Sequence, residues 1–319
     1  MHSPRYRRLK DYWTARKGGR IQKVSLHAGF SCPNRDGTIG FGGCRYCSNE
    51  AFTPAYCHQA GSLEEQIEAG LAFQKRRYPR ARGFLAYLQA YTNSHGPLDE
   101  LTRLYGRILA HPEIDGLIIG TRPDCLPNKL LDWLQAASER KPVYLELGIE
   151  SFSNATLHRM NRGHTIEESE DALARIASRG LLAGGHFLIG FPGERWESFF
   201  EEVERFNRLP LHSVKLHQLH VFRDTPLAAY HANHPEAFHF PGKSAYLQAV
   251  ARWLTRISPD LHIDRIAGDA PPKFTVGPSW GLRLDVLGRE FEALLEELDI
   301  RQGSRYCNHL SKSAVNPRA

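Results

Sequence analysis

The chain has 319 residues, of which 41% are hydrophobic and 24% are charged, and these fractions are typical of globular proteins. No apolar run approaches the roughly 18 residues that a membrane span requires, and the basic amino terminus lacks the apolar core of a secretory signal. The composition therefore predicts a protein without a membrane span, and we expect it in the cytoplasm. Six cysteines are also too few and too unevenly spaced for a disulfide scaffold.

The formal net charge of +6 comes largely from two basic runs. Asp11 is the only acid among eight Lys and Arg residues in the first 23 positions, and the second run, KRRYPRAR, extends from Lys75 to Arg82. Basic side chains interleaved with aromatic rings suit phosphate neutralisation and base stacking. Contact with nucleic acid and a solvated surface that aids solubility both remain open on charge alone.

Hydrophobic periodicity and turn residues predict strands that alternate with helices along most of the chain. The predicted strands are 21–27, 84–91, 116–120, 143–150, 184–190 and 214–221. The predicted helices are 62–78, 97–110, 128–138, 165–180, 194–208 and 242–258. Ser62 and Glu65 have the spacing of a capping box at the first of these helices.

Six β–α units in a row require a parallel sheet with right-handed crossovers, and six are too few to close an eight-stranded barrel. We therefore predict an α/β fold, a partial (β/α)6 TIM-like barrel with a C-terminal extension. After about residue 259 the alternation stops, and 285–302 has the pattern of one amphipathic helix. The predicted organisation is a basic arm over 1–20, a barrel core over 21–258 and an extension over 259–319.

Three of the six cysteines lie in the sixteen residues CPNRDGTIGFGGCRYC, directly after the first predicted strand. Functional residues gather at the carboxyl ends of parallel strands. Cys44 and Cys47 have the C-x2-C spacing by which two thiolates bind one metal centre, and Cys32 precedes Cys44 by twelve positions. A structural zinc takes four ligands, for which Cys57 or His58 would be the fourth, and an iron–sulfur cluster normally takes four cysteines. Spacing alone leaves zinc, iron–sulfur and inert thiols open.

The loop, with Tyr46 just before its last cysteine, resembles that of radical S-adenosylmethionine (radical SAM) enzymes, in particular the YhcC/YtqA-like family. Its C-x11-C-x2-C spacing departs from the C-x3-C-x2-C that is commoner in the superfamily. The resemblance covers residues 20–225 and extends through QAYTNS, GTRPDC, LELGIES, TLHRMNRGH, FLIGFPGE and VKLHQLHV. It implies a partial barrel that carries out radical chemistry.

By this resemblance, Cys32, Cys44 and Cys47 bind three irons of a [4Fe–4S] cluster, and S-adenosylmethionine occupies the fourth iron. The cluster, reduced by a donor such as flavodoxin or ferredoxin, would cleave S-adenosylmethionine to a 5′-deoxyadenosyl radical that abstracts a hydrogen atom from the substrate. Such a cluster has a potential near the low end of the range for proteins.

The resemblance also implies residues that bind S-adenosylmethionine. Tyr46 would pack against the adenine, and Glu150 would accept hydrogen bonds from the ribose hydroxyls. Gly190 and Gly193 would let the backbone approach the adenine ring. Ordinary packing or surface roles are the alternative for each of these residues.

Several polar residues near the strand ends have open roles. His217 and His220 are three positions apart on the predicted sixth strand, so only one is expected to face the barrel interior. Asp124 would hold substrate, position Arg122 or begin a helix. Arg162 would bind a phosphate or carboxylate, or cap the following helix.

Relatives in the broad family are associated with modification of the tRNA wobble uridine, which agrees with the basic runs. We therefore expect modification of a base in tRNA, with the arm and the run from Lys75 to Arg82 contacting phosphates. A radical SAM oxidoreductase that acts on a small metabolite or a protein side chain is the alternative. A zinc-binding, non-catalytic RNA-binding protein is a further alternative of a different class.

Overall fold

A computed structural model describes residues 4–49, 53–277 and 279–307, and one parallel sheet lies at its centre. The strands are β1 Ile21–Leu26, β2 Gly83–Leu88, β3 Gly116–Thr121, β4 Val143–Glu150, β5 Leu182–Ile189, β6 Ser213–Gln218 and β7 His262–Arg265. They are neighbours in chain order, and the sheet curls into a half-barrel. The predicted α/β partial barrel is therefore confirmed.

Helices connect every pair of consecutive strands, as parallel pairing requires. Their bounds are α1 Leu9–Lys17, α2 Ala55–Gln59, α3 Leu63–Arg77, α4 Leu98–Ala110, α5 Asn128–Ser138, α6 Asn154–Arg159, α7 Ile166–Ala177, α8 Ser198–Glu201, α9 Val203–Arg208, α10 Pro226–Asn233, α11 Lys243–Leu254 and α12 Leu284–Glu297. Within the described ranges, no helix combines the length and apolar character needed to cross a membrane. The predicted capping box at α3 is present, because Ser62 and Glu65 bond each other's backbone N–H.

Two details of the prediction are wrong. The sheet has a seventh strand, in which His262 pairs with Ser213 of β6, where six strands were expected. Strand β7 has only four residues, too few to show the alternation of buried and exposed positions, and it lies in a Pro- and Gly-rich stretch. The sequence pattern therefore did not reveal it. The helix predicted over 194–208 consists of the two short helices α8 and α9, which are separated at Glu202.

Strands β2, β3, β4 and β6 are buried on both faces, as is usual for a parallel sheet covered by helices. Every residue of β2 and β6 is buried. On β2, Ala86 and Leu88 pack into the large core shared with the helices, whereas Leu85 and Tyr87 belong to a smaller cluster on the opposite, inner face. The inner face therefore has an apolar layer near the amino ends of the strands.

Helix α1 completes that inner layer. Leu9 and Trp13 are buried and pack with Leu85, Ile118 and Tyr144, all of which lie towards the amino ends of their strands. Residues of the basic arm thus fill the amino end of the half-barrel. The carboxyl end remains for the functional site, where parallel barrels place it.

Candidate active site

A cavity of about 440 Å³ lies at the carboxyl ends of the strands, within the size range of ligand pockets. Its walls come from the cysteine loop after β1, the loops after β2 and β3, and the carboxyl-terminal parts of β4, β5 and β6. Residues singled out from sequence that line it are Cys32, Cys44, Cys47, Tyr46, Glu150, Arg122, Arg162, His217 and His220. The cysteine loop and the ends of distant strands therefore meet in one place.

Tight turns fold the cysteine loop onto itself. The Cys32 carbonyl accepts a hydrogen bond from the Arg35 N–H at 2.8 Å, and the Cys44 carbonyl accepts one from the Cys47 N–H at 3.1 Å. Gly37 has a φ of 90°, and a Cβ atom there would lie 2.7 Å from the Phe41 ring. Both conditions require glycine, which explains the composition of the loop.

The three thiols share one electrostatic environment. Burial raises the pKa of Cys47 to about 12, and the charges of Cys44 and Cys32 contribute to that increase. Burial likewise raises the pKa of Cys32. Cysteine binds metals as the thiolate, so a bound metal would displace the thiol protons. Its positive charge would also offset the repulsion between the neighbouring thiolates.

The donor set consists of three soft thiolates and fits an iron–sulfur group. In the described part of the chain, no three His, Cys, Asp or Glu side chains are arranged to hold a single metal ion. The fourth zinc ligands considered from sequence lie elsewhere: Cys57 is buried on α2 with its thiol donating to the Ser25 carbonyl, and His58 is exposed. Neither of them lines the cavity.

Arg162 lies inside the site rather than at a helix cap. Arg162 is only 8% exposed, and its guanidinium donates to the Cys44 Sγ at 3.5 Å and to the Gly148 carbonyl at 2.7 Å. The same guanidinium lies 3.6 Å from Glu150 Oε1. Helix α7 is instead capped by Thr165, so the capping role considered for Arg162 is wrong.

Glu150 ends β4 in a strained conformation. Its φ of 72° is in the left-handed region, and the register of β4 against β5 shifts between Gly148 and Glu150. The carboxylate is buried, its Oε2 has no hydrogen-bond partner, and that oxygen lies 3.6 Å from His186 Nδ1. Such strain and unsatisfied acceptors are typical of functional sites.

The residues predicted near the adenine do not all line this cavity. Tyr46 does, and its ring lies 5.5 Å from that of Phe191. Gly190, with a φ of 99°, lines a smaller cavity of about 220 Å³ together with Trp196. Gly193 lines neither of these cavities, and its N–H donates to the Ala237 carbonyl at 2.9 Å.

Both histidines of the sixth strand segment line the cavity, so the expectation that only one would face inward is wrong. Strand β6 ends at Gln218, and His220 lies beyond it, where strand alternation no longer applies. His217 Nε2 and both ring nitrogens of His220 have no hydrogen-bond partner. Burial lowers the pKa of each histidine, so neutral imidazoles face the cavity.

Asp124 positions Arg122, one of the roles considered from sequence. The two side chains form a paired hydrogen bond of 2.9 and 2.8 Å, and Arg122 is only 1% exposed. The remaining guanidinium nitrogen of Arg122, Nη1, has no hydrogen-bond partner. A planar guanidinium fixed in this way is suited to holding an anionic group.

A buried ionic network on the inner face was missed by sequence reasoning. Lys215 of β6 donates to Glu146 of β4 and to the Tyr87 hydroxyl, and all three residues line the cavity. A lysine and a glutamate at inward positions of predicted buried strands were the signals that could have revealed it.

Comparison with known proteins agrees with this geometry. The chain matches the family model of the Radical SAM superfamily over residues 34–206 and that of the Radical_SAM C-terminal domain over 211–292. It is therefore an enzyme of the radical SAM superfamily, whose cofactors are a [4Fe–4S] cluster and S-adenosylmethionine. The zinc-binding, non-catalytic alternative does not agree with this membership.

Two relatives define the family more narrowly. Protein YhcC of Escherichia coli is 34% identical over 269 residues, which cover 84% of each chain. YtqA of Bacillus subtilis is 30% identical over 298 residues, covering 93% of this chain and 90% of the relative. The chain belongs to the family that contains these two proteins.

More distant matches concern the fold and one stretch of sequence. The structure of the archaeal Methanocaldococcus infernus Elp3 superposes with a TM-score of 0.64 at 17% identity, covering 88% of this chain and 64% of that one. The tRNA-2-methylthio-N(6)-dimethylallyladenosine synthase of Paracoccus denitrificans is 36% identical over 96 residues, 28% of this chain and 22% of the synthase. The first match shows a shared fold.

Proposed function

We propose that Cys32, Cys44 and Cys47 hold the [4Fe–4S] cluster, and that the enzyme uses it to modify a base in tRNA, the wobble uridine. The observation that carries the ligand assignment is the convergence of the three thiols with Glu150 on one cavity at the carboxyl ends of the strands. The partial match to a synthase named for a modified adenosine in tRNA supports tRNA as the class of substrate, and the wobble uridine is the finer part of the proposal.

The cavity also supports roles in binding S-adenosylmethionine. Glu150 has a buried carboxylate oxygen without a partner, as an acceptor for ribose hydroxyls requires. Tyr46 presents its ring at the wall beside the cysteines, where it would stack on the adenine. Gly190, with a positive φ, would let the backbone approach the adenine from the smaller cavity that it lines. Gly193, also with a positive φ, would shape the turn that follows Gly190.

When bound by Cys32, Cys44 and Cys47, the cluster would supply one electron for the reductive cleavage of S-adenosylmethionine, and that cleavage would provide the means to abstract hydrogen from the substrate. The chain itself orients and shields these groups. Arg122 and Arg162 provide fixed cations, while His217 and His220 provide uncharged hydrogen-bonding groups. A flavodoxin or ferredoxin would deliver the electron in the cytoplasm, where the six free thiols stay reduced.

The two basic runs differ in how available their charges are. In the arm, Arg5 pairs with Asp299, Arg8 with Glu292, and Lys17 with Asp115. In the second run, Lys75 pairs with Glu113. Within the described residues, the following exposed arginines of that run form no salt bridge: Arg76, Arg77, Arg80 and Arg82.

The second run is therefore the better candidate for contact with tRNA phosphates. It lies at the end of α3 and in the loop that leads to the amino end of β2, opposite the mouth of the cavity. A tRNA bound there would extend along the barrel to place one base in the cavity. The arm would contribute less, because acids within the chain already neutralise several of its charges.

The first test is purification without oxygen, followed by iron and zinc counts and a visible spectrum. We expect about four irons per chain, a brown band, and 5′-deoxyadenosine after addition of dithionite and S-adenosylmethionine. Cys32→Ala should lose the band, whereas Cys57→Ala, which alters a cysteine outside the cavity, should keep it. One zinc and no colour would contradict the ligand assignment.

The substrate is tested separately. Nucleoside mass spectrometry of tRNA from cells that lack the gene should show one missing or immature wobble uridine modification. Binding of tRNA to the purified enzyme should weaken steeply with salt. Unchanged nucleosides and salt-insensitive binding would favour a small metabolite or a protein side chain as the substrate.

A further inference from the structure

Within the described residues, three side chains donate hydrogen bonds to Cys32 or Cys44, and a fourth, Arg35, interacts with the Cys47 thiol. The Asn34 amide donates to the Cys44 Sγ at 3.3 Å, and the Thr92 hydroxyl donates to the Cys32 Sγ at 3.2 Å. Arg162 gives Cys44 a second donor at 3.5 Å. Cys44 therefore has two donors, and one of them is a cation.

Several features hold the Arg162 guanidinium in this position. Its NH2 group donates to the Gly148 carbonyl at 2.7 Å, and Gly148 has no side chain in its way: a Cβ atom there would lie 2.5 Å from that nitrogen. Burying a cation is unfavourable unless negative groups lie beside it. Cys44, as a thiolate, and Glu150 supply that negative charge.

We infer that Arg162 sets the reduction potential of the cluster by stabilising negative charge at Cys44. The inference rests on the proposed function, because it requires Cys44 to be a ligand. One added electron makes the cluster and its thiolates more negative, so a cation that donates to Cys44 Sγ favours the reduced form. Charge and hydrogen bonds at the ligand sulfurs are known determinants of such potentials. Arg162 therefore makes the cluster easier to reduce.

The proposed role requires a direct hydrogen bond from Arg162 to Cys44 Sγ, and a positive charge elsewhere near the cluster would not replace it. Arg159, three residues earlier, donates to the Thr156 hydroxyl at 3.0 Å, and none of its hydrogen bonds within the described residues reaches a cysteine. It therefore serves as a matched control: the same charge is removed from the neighbouring helix without loss of a contact to sulfur.

The experiment is a dithionite titration of the holoenzyme under a controlled potential, followed by electron paramagnetic resonance. Dithionite supplies one electron per cluster, and no bond in the chain forms or breaks. For Arg162→Gln we expect the ratio of reduced to oxidised cluster at a fixed potential to fall about tenfold, or about 59 mV for a one-electron couple. In Arg162→Lys this ratio should fall by less than tenfold, and in Arg159→Gln it should equal the wild-type ratio.

An unchanged potential in Arg162→Gln with a full iron content would overturn the inference and leave the proposed function intact. An equal shift in Arg159→Gln would also overturn it, because direct contact would then be irrelevant. If Arg162→Gln fails to fold or to bind iron, Gly148→Ala decides, because a Cβ atom there would lie 2.5 Å from the guanidinium and displace it from Cys44: a lowered potential supports the inference, and a wild-type potential overturns it. A Cys44→Ala variant that keeps its cluster would instead overturn the ligand assignment and, with it, the inference.

Discussion

Lys215 of β6 and Glu146 of β4 form an ion pair across the inside of the half-barrel, with β5 between their strands. The Tyr87 hydroxyl donates to the same Glu146 oxygen at 2.8 Å. Burial acts to raise the pKa of Glu146, but the charges of Lys215 and Lys23 outweigh it and lower that pKa. Burial lowers the pKa of Lys215, and the charge of Glu146 opposes that shift. The ion pair and the Tyr87 hydroxyl tie β2, β4 and β6 together beneath the cavity.

Lys215→Met should destabilise the protein, because it leaves a buried carboxylate without its main partner. Breaking a buried pair on one side costs about 3–5 kcal/mol, which urea unfolding measures directly. The double variant Glu146→Leu/Lys215→Met removes both charges and should recover most of the loss. A single variant within about 0.5 kcal/mol of the wild type, typical of a surface change, would contradict this account.

Gly148→Ala should weaken binding of S-adenosylmethionine without abolishing folding. A Cβ atom at this position would lie 2.5 Å from both Arg162 NH2 and Glu150 Oε1, so both side chains must move. We expect at least a tenfold loss of affinity, about 1.4 kcal/mol, in anaerobic calorimetry. Gly106→Ala is the control, because nothing lies within 4 Å of a Cβ atom at that position on α4. That variant should bind normally and gain roughly 0.5–1 kcal/mol of stability.

His212 should make the docking of α1 sensitive to acid. It contacts Tyr12 of α1 and stacks on His262 at 4.6 Å, and burial, followed by the charges of His262 and Arg16, lowers its pKa to about 4. A histidine with a lowered folded pKa contributes stability that is complete above its unfolded pKa of about 6.5. That stability is lost as the pH falls towards 4.

Urea unfolding between pH 5 and pH 8 tests this expectation. The free energy of unfolding should fall with acid, and His212→Gln should flatten the slope by up to about 1.4 kcal/mol per pH unit, the value for one proton. His239→Gln, which removes an exposed imidazole, should leave the slope as it is. Identical slopes for wild type and His212→Gln would refute the linkage.

Replacing Arg76, Arg77 and Arg80 with Gln should reduce the salt dependence of tRNA binding. Each phosphate contact contributes about 0.7 to 0.9 to the slope of log K against log salt, so three lost contacts should lower the slope by about 2 to 3. Filter binding over a salt series measures it. Cleavage of S-adenosylmethionine without tRNA should stay at the wild-type rate, because these residues lie far from the cavity.

The control for that experiment removes the same charge elsewhere. Arg103, Lys129 and Arg140 are exposed on or just after α4 and α5, and their triple Gln variant has an equal net charge. If it lowers the slope as much as the first variant, tRNA binding follows net charge and not the run from Lys75 to Arg82.

The parts of the site that follow a strand along the chain could be predicted from sequence. The cysteine loop follows β1 and Glu150 ends β4, so the rule that sites gather at strand ends places them together. Arg162 could not be placed in this way, because its position depends on how the loop between α6 and α7 folds back over Gly148. The Lys215–Glu146 pair joins residues 69 positions apart, and no local pattern specifies which buried charges will meet.

Helix α1 has a consequence for how the enzyme takes up its ligands. Leu9 and Trp13 fill the amino end of the half-barrel, and Lys23 of β1 pairs with Asp264 of β7 at 3.2 Å across the two edge strands. The cofactor and the substrate should therefore both enter through the cavity opening at the carboxyl ends of the strands. Whichever binds deeper has to arrive first and leave last, so turnover should follow a compulsory order of addition and release.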